Sequence, residues 1–163
     1  MSTNIIKRIL LITLLLTTQA AHAGVLSKWM AQTVYVPVYS HIYADDRYRG
    51  KPFLLTVTLS VRNTDPGKSL SLQSVNYHDS QGKLLRKYLD KPTNIGPLGS
   101  ASFIVPESET EGGSGAKFIV EWEADSPIIE PIIESVMIGT QLQQGISFIS
   151  TGRIMKGKPA ANP

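Results

Sequence analysis

From Phe53 to Arg62 the chain alternates. Phe53, Leu55, Val57, Leu59 and Val61 fall on one parity, and Leu54, Thr56, Thr58, Ser60 and Arg62 on the other. Apolar residues at every second position, several of them β-branched, predict a strand with one buried face. KFIVEWEA repeats the pattern, with Phe118, Val120, Trp122 and Ala124 inward and Lys117, Glu121 and Glu123 outward. TVYVPVYSHIY alternates as well, but Pro37 has no N–H to give to a ladder, which predicts an edge position or a bulge. In SLSLQSVNYHD the phase changes: Leu70 and Leu72 share one parity, Val75 and Tyr77 the other. A β-bulge near Gln73-Ser74 would bring both pairs to the core. Asp79-Ser80-Gln81-Gly82 has turn chemistry and KLLRKYL follows it, so a hairpin is expected. SASFIVPE and GISFISTG supply two further short strands.

SPIIEPIIESVMIG fits two patterns. Ile128, Ile129, Ile132, Ile133 and Val136 match a helical stripe with Ser126 as N-cap, but Pro131 would then sit inside the helix at a cost of about 3 kcal/mol. An extended, proline-stiffened approach to a strand around Ser135–Ile138 is preferred. The expected fold is therefore all-β: an antiparallel, immunoglobulin-like β-sandwich of seven to eight strands, following an N-terminal signal helix. The tail GKPAANP has little apolar material to order it, and residues 153–163 are expected to be disordered.

The first residues have the layout of an export signal. Lys7 and Arg8 precede the apolar run Ile9–Leu16, and Ala21-His22-Ala23 offers a small-x-small cleavage site. The domain organisation expected is a signal peptide over 1–23, a β-sandwich over 24–152 and the tail. The apolar run is about half of what a spanning helix needs, so no stable membrane span is expected after cleavage. The destination would be periplasmic or secreted. The chain contains no cysteine, which excludes disulfides, thiolate nucleophiles and Cys-ligated metals.

A sequence pI near 9.2 suggests nucleic acid until the charges are placed. Residues 1–23 hold two of the 16 Lys and Arg and none of the 13 Asp and Glu, and the last eleven residues hold three more cations. The body from 24 to 152 therefore carries 11 cations against 13 acids, a net charge of −2. Nucleic-acid binding lacks its electrostatic footprint.

The run EGGSGAK (111–117) resembles a phosphate loop only superficially. Gly112, Gly113 and Gly115 have the wrong spacing, a strand rather than a helix follows, and ESETE precedes it. A flexible bend is expected. His41 and His78 with neighbouring aspartates, Asp45 and Asp46 among them, form no established metal signature. Glu121 and Glu123 share a strand face, as a solvated pair commonly does. No catalytic, cofactor or metal residues are assigned, and no cofactor is expected. Tyr35, Tyr39, His41 and Tyr43 share one parity opposite Val34, Val36, Val38 and Ile42, which makes them the candidate surface for a protein or glycan partner.

YVPVYSHIY (35–43), LSVRNTD (59–65), SVNYHDSQGKLLRKYL (74–89), GGSGAKFIVEW (112–122) and VMIGTQLQQGISFISTGR (136–153) together resemble a family of bacterial exported proteins, domain of unknown function 3124. The resemblance spans nearly all of the chain after residue 23. It implies a cell-envelope protein and brings no activity or catalytic residues. The function expected is a non-catalytic binding or interaction module. The alternatives are a metal-dependent or hydrolytic enzyme using His41, His78 and nearby aspartates, and a structural module pairing through an exposed edge near Pro37.

Overall fold

The computed structural model describes residues 27–43, 51–141 and 143–160, so the expected signal peptide and its helix lie outside the described residues. Twelve strands follow in order: β1 (Lys28–Pro37), β2 (His41–Ile42), β3 (Phe53–Leu54), β4 (Thr56–Arg62), β5 (Leu70–His78), β6 (Leu84–Lys87), β7 (Thr93–Ile95), β8 (Ser100–Val105), β9 (Lys117–Ile129), β10 (Ile132–Gln141), β11 (Gln144–Thr151) and β12 (Arg153–Pro159). All pairing is antiparallel, and the described residues contain no helix. A six-stranded sheet runs β12-β1-β9-β5-β6, with β7 also on β5; a four-stranded sheet runs β11-β10-β4-β8; β2 and β3 pair alone. The strands exceed the expected seven to eight because β2, β3 and β7 are two or three residues long, too short to show a period, and because the tail pairs.

The two larger sheets share one core. Val57, Leu59 and Val61 of β4 and Met137 of β10 are fully buried with Val36 of β1, Leu72 of β5 and Phe118, Val120 and Trp122 of β9. The Trp122 indole N–H donates to Gln32 Oε1 at 3.2 Å, which lets a polar ring edge sit in that interior. The phase change in β5 is a bulge: its register on β9 shifts between Leu72 and Ser74, and Leu70, Leu72, Val75 and Tyr77 are all buried. Asp79–Gly82 closes the β5–β6 hairpin, with Gly82 at φ 89°. Across the opposite side, Tyr88 reaches from the end of β6 to donate its hydroxyl to the Ile104 carbonyl of β8 at 2.9 Å, and it packs on Phe103 and Phe118.

Two of the passages between the larger sheets are only one or two residues long. β9 passes to β10 through Glu130 and buried Pro131, and β11 passes to β12 through Gly152. Residues 127–129 and 132–138 are strand rather than helix, and strand begins earlier than the expected Ser135. Pro127 falls in a bulge, where the β1–β9 register jumps from Ala31↔Glu123 to Trp29↔Ile128, so its missing N–H interrupts no pair. At Gly152 the N–H donates to the Ile133 carbonyl at 2.9 Å, and an added Cβ would lie 2.6 Å from Val34 Cγ1 and 2.7 Å from that same carbonyl.

One expectation needs correction and another holds only locally. The tail expected to be disordered forms β12 through Pro159, paired with β1 from Tyr35↔Arg153 to Trp29↔Pro159. Backbone pairing orders it although none of its residues is buried, and Trp29 lies over Gly157, where a Cβ would come within 2.6 Å of the ring. The edge position expected of Pro37 holds locally, since β1 is an interior strand only as far as Tyr35. The Val38 N–H donates to Ala116 across the β9 ladder. By alternation Pro37 N points the other way, where β12 pairing has already ended at Tyr35. The Pro37 carbonyl instead accepts from buried Ser135 Oγ of β10 at 2.8 Å.

After β4, Asn63-Thr64-Asp65 ties distant backbone together. Asn63 Nδ2 donates to the carbonyls of Lys68, Ile95 and Gly96 at 2.7, 3.3 and 2.9 Å. Asp65 Oδ1 accepts from the N–H groups of Gly67 and Lys68, and Oδ2 from Ile129, at 3.0, 3.0 and 3.1 Å. The Gly67 and Ile129 bonds lead in holding the Asp65 carboxyl below its ordinary 3.8, against desolvation, with Lys68 helping. A depressed folded value makes this contribution complete above the unfolded value and lost as pH falls through the folded one.

Acid titration of folding should therefore show Asp65→Asn losing stability relative to the native chain at neutral pH, with the difference shrinking below about pH 4. Urea melts should place Gly152→Ala about 1–3 kcal/mol below the native chain, and Gly67→Ala, whose Cβ meets nothing nearer than 3.9 Å, close to it.

Candidate functional site

The glycine run joins β8 to β9 and is clamped from two sides. On one side Ser40 Oγ accepts from Gly113 N–H at 2.9 Å, and Ser40 N–H donates to the Gly113 carbonyl at 3.1 Å. On the other, Ser80 Oγ accepts from Gly115 N–H and donates to the Gly112 carbonyl, both at 3.0 Å. Gly113 has φ 76°, and a Cβ there would lie 2.7 Å from Ser80 Oγ. A Cβ on Gly112 would run into the Tyr77 hydroxyl. That phenol is buried, and burial, reinforced by the charge of Glu109, pushes its pKa well above the ordinary 10. The glycines are there for close approach, and the Gly113 and Gly115 N–H groups are spent on serine oxygens rather than left for an anion.

The four candidate surface residues separate into three places. Tyr35 stays in the β1 ladder on the outer face, between Arg153 of β12 and Ile119 of β9. Tyr39 lies beyond the ladder and packs against the core, edge-on to Phe148 of β11 at 5.6 Å. His41 and Tyr43 stack edge-to-face at 5.4 Å beside the glycine bend, with His41 Nδ1 3.1 Å from Ser40 Oγ. The parity argument assumed a continuous strand, and the ladder ends at Pro37. His78 sits opposite Leu84 and Lys117 at the end of β5. Among the described residues no group of three or more His, Asp or Glu could hold a metal ion, and Asp45 and Asp46 lie outside them.

Around Tyr35 the register builds a trough. On the outer face of the six-stranded sheet, Lys156 and Lys158 of β12 pair with Thr33 and Ala31 of β1, which pair in turn with Glu121 and Glu123 of β9. A basic row and an acidic row thus flank a floor of small residues, and Tyr35 continues the floor row. Two interstrand steps of about 4.8 Å separate the rows. Among the described residues no ion pair bridges them, the pair observed being Arg62–Glu134 on the other sheet. The acids are steadied from β5, with Ser74 Oγ donating to Glu121 and Gln73 Nε2 to Glu123, each at 2.9 Å. The trough has a volume of about 310 Å³ and is lined by Ala31, Thr33, Gln73 and the four charged side chains, with Tyr35 just beyond that lining as the next residue of the floor row. A β12 bulge between the partners of Thr33 and Val34 leaves Met155 exposed at its outer rim.

The sequence pattern marks Glu121 and Glu123 as a pair but carries no sign of the lysines opposite. Their relation to the acids exists only once β12 is a strand.

Residues 31–155 match a family model described as Protein of unknown function (DUF3124). No curated protein matches the chain. A solved structure titled "Crystal Structure of Thermotoga maritima 1070" is similar at 9% identity and a TM-score of 0.46, covering 80% of this chain and 97% of that one.

The clamp is testable by amide exchange. Ser40→Ala with Ser80→Ala should speed exchange at Gly113 and Gly115 and cost about 0.5–1.5 kcal/mol for each hydrogen bond lost, while the amides of β4 stay protected.

Proposed function

The chain belongs to the DUF3124 family, and on that premise we propose that it is an exported, non-catalytic binding module of the cell envelope, an immunoglobulin-like sandwich that holds an extended polar ligand along the trough beside Tyr35. The carrying observation is the unbridged opposition of Lys156 and Lys158 to Glu121 and Glu123 across a floor of Ala31 and Thr33. Fixed charges of both signs, with room between them, suit a chain bearing amino or amide groups on one side and carboxylates or hydroxyls on the other. Amino-sugar polymers and the peptides attached to them share that chemistry. Tyr35 offers an aromatic face and a hydroxyl at one end. The volume is at the lower end for small-molecule sites, about 300–1,000 Å³, which suits a segment of a longer ligand.

The N-terminal pattern of Lys7, Arg8, the apolar run and Ala21-His22-Ala23 supports export. No helix among the described residues is long and apolar enough to cross a membrane. His41 and Tyr43, stacked beside the glycine bend, remain in the proposal as a second contact area beyond the end of β1, reached by a partner larger than one trough.

Intact-mass analysis of protein recovered from its own cells should find Gly24 as the first residue; retention of Met1 would defeat the export reading. In sedimentation with isolated cell-wall polymer, the native chain should co-pellet. Lys156→Ala with Lys158→Ala should weaken that binding by about tenfold or more, and so should Glu121→Gln with Glu123→Gln, both without loss of folded signal. Equal binding by all three proteins would remove the trough from the proposal.

A further inference from the structure

We propose that the chain associates with a second copy of itself by antiparallel pairing of β11 with β11 about a two-fold axis at Ile149. The starting point is how each sheet edge is treated. Unpaired edges invite strand addition, and proteins blunt them with charge, shortness or cover. β12 carries Arg153, Lys156 and Lys158; β6 is four residues long and carries Arg86 and Lys87; β7 has three residues. β8 is covered where Tyr88 bonds the Ile104 carbonyl. β11, QGISFIST, is eight residues long, uncharged and largely exposed, and no strand pairs with its outer side among the described residues.

Register fixes which groups are free. The Gly152 N–H bonds the Ile133 carbonyl, and the β10–β11 ladder continues from that pair through Ser135↔Ser150 and Met137↔Phe148. Bonded and outward-facing residues alternate in an antiparallel ladder, so Ser147, Ile149 and Thr151 present their N–H and C=O away from β10. Setting Ile149 opposite Ile149 places Ser147 opposite Thr151, and all three pairs meet through free groups. No charge opposes a like charge.

The same register extends a surface row. On the outer face of the four-stranded sheet, Ile104 pairs with Thr58, Thr58 with Val136 and Val136 with Ile149. Ile149, Ile104 and the neighbouring Ile138 are 62%, 56% and 52% exposed. The charges on this face, Arg62 and Glu134, neutralise each other at 3.3 Å. Pairing through Ile149 joins the row to its copy in one apolar line across both four-stranded sheets. A charge-free edge beside a neutral face is compatible with its own copy, and the isologous register leaves none of its outward groups idle.

The native chain contains no cysteine, so a single introduced one reports the register. In a hydrogen-bonded antiparallel pair the Cα atoms lie about 5.5 Å apart, within disulfide reach. Native mass spectrometry of the purified native chain should show a dimer. Ile149→Cys should oxidise to a covalent dimer at least about tenfold faster than Thr140→Cys, which shares the exposed face but lies three strands from its counterpart. Ile149→Pro removes an N–H that β10 does not use, so its far-ultraviolet spectrum should stay native while dimerisation weakens by at least about tenfold. A monomeric native chain, equal oxidation at both positions, or a different chain bound at β11 would each overturn the proposal.

Discussion

At Gly152 the chain leaves one sheet for the other, and this passage fixes the positions of much else. Its N–H holds the end of β11 to Ile133, while the space a side chain would take belongs to Val34 and the Ile133 carbonyl. Because β11 and β12 are nearly one strand, β12 reaches β1 at a set register, and β1 then meets β9. The β9–β10 crossing through Glu130-Pro131 is the other short passage between the sheets, and it leaves the six-stranded sheet at the Lys28 end of β1. Ser135, bonded to the Pro37 carbonyl, connects the layers.

The polar residues divide between two tasks. Asn63 and Asp65 satisfy backbone groups from segments far apart in sequence, and Ser40 and Ser80 do the same for the glycine bend. These side chains replace ladder bonds that irregular segments cannot make among themselves. Glu121, Glu123, Lys156 and Lys158 do something different. They stand on regular strands whose backbone is already paired, so their charges are free for another partner.

Alternation alone makes the core legible in the amino-acid sequence. Val57, Leu59 and Val61 point inward as their parity requires, and the shift from Leu72 to Val75 marks the bulge. Gly82 and Asp79 mark the hairpin. What stays hidden is whatever depends on backbone alone or on register between distant strands. RIMKGKP has no buried residue, so its pattern carries no sign of strand, and it is ordered by the free edge of β1. Tyr39 shares parity with Tyr35, yet the ladder between them ends at Pro37 and the ring turns to Phe148. The trough follows from neither composition nor spacing, because its two charged rows are distant in sequence and meet only across β1.

Pairing of β12 with β1 has a temporal consequence. The six-stranded sheet seats the earliest described strand between β9 and the last described one, so a ribosome must release β12 before that sheet can close. Until then β1 has no permanent neighbour on that side. The proposed export would benefit from such a delay, since a polypeptide threaded through a narrow channel must still be unfolded when it arrives.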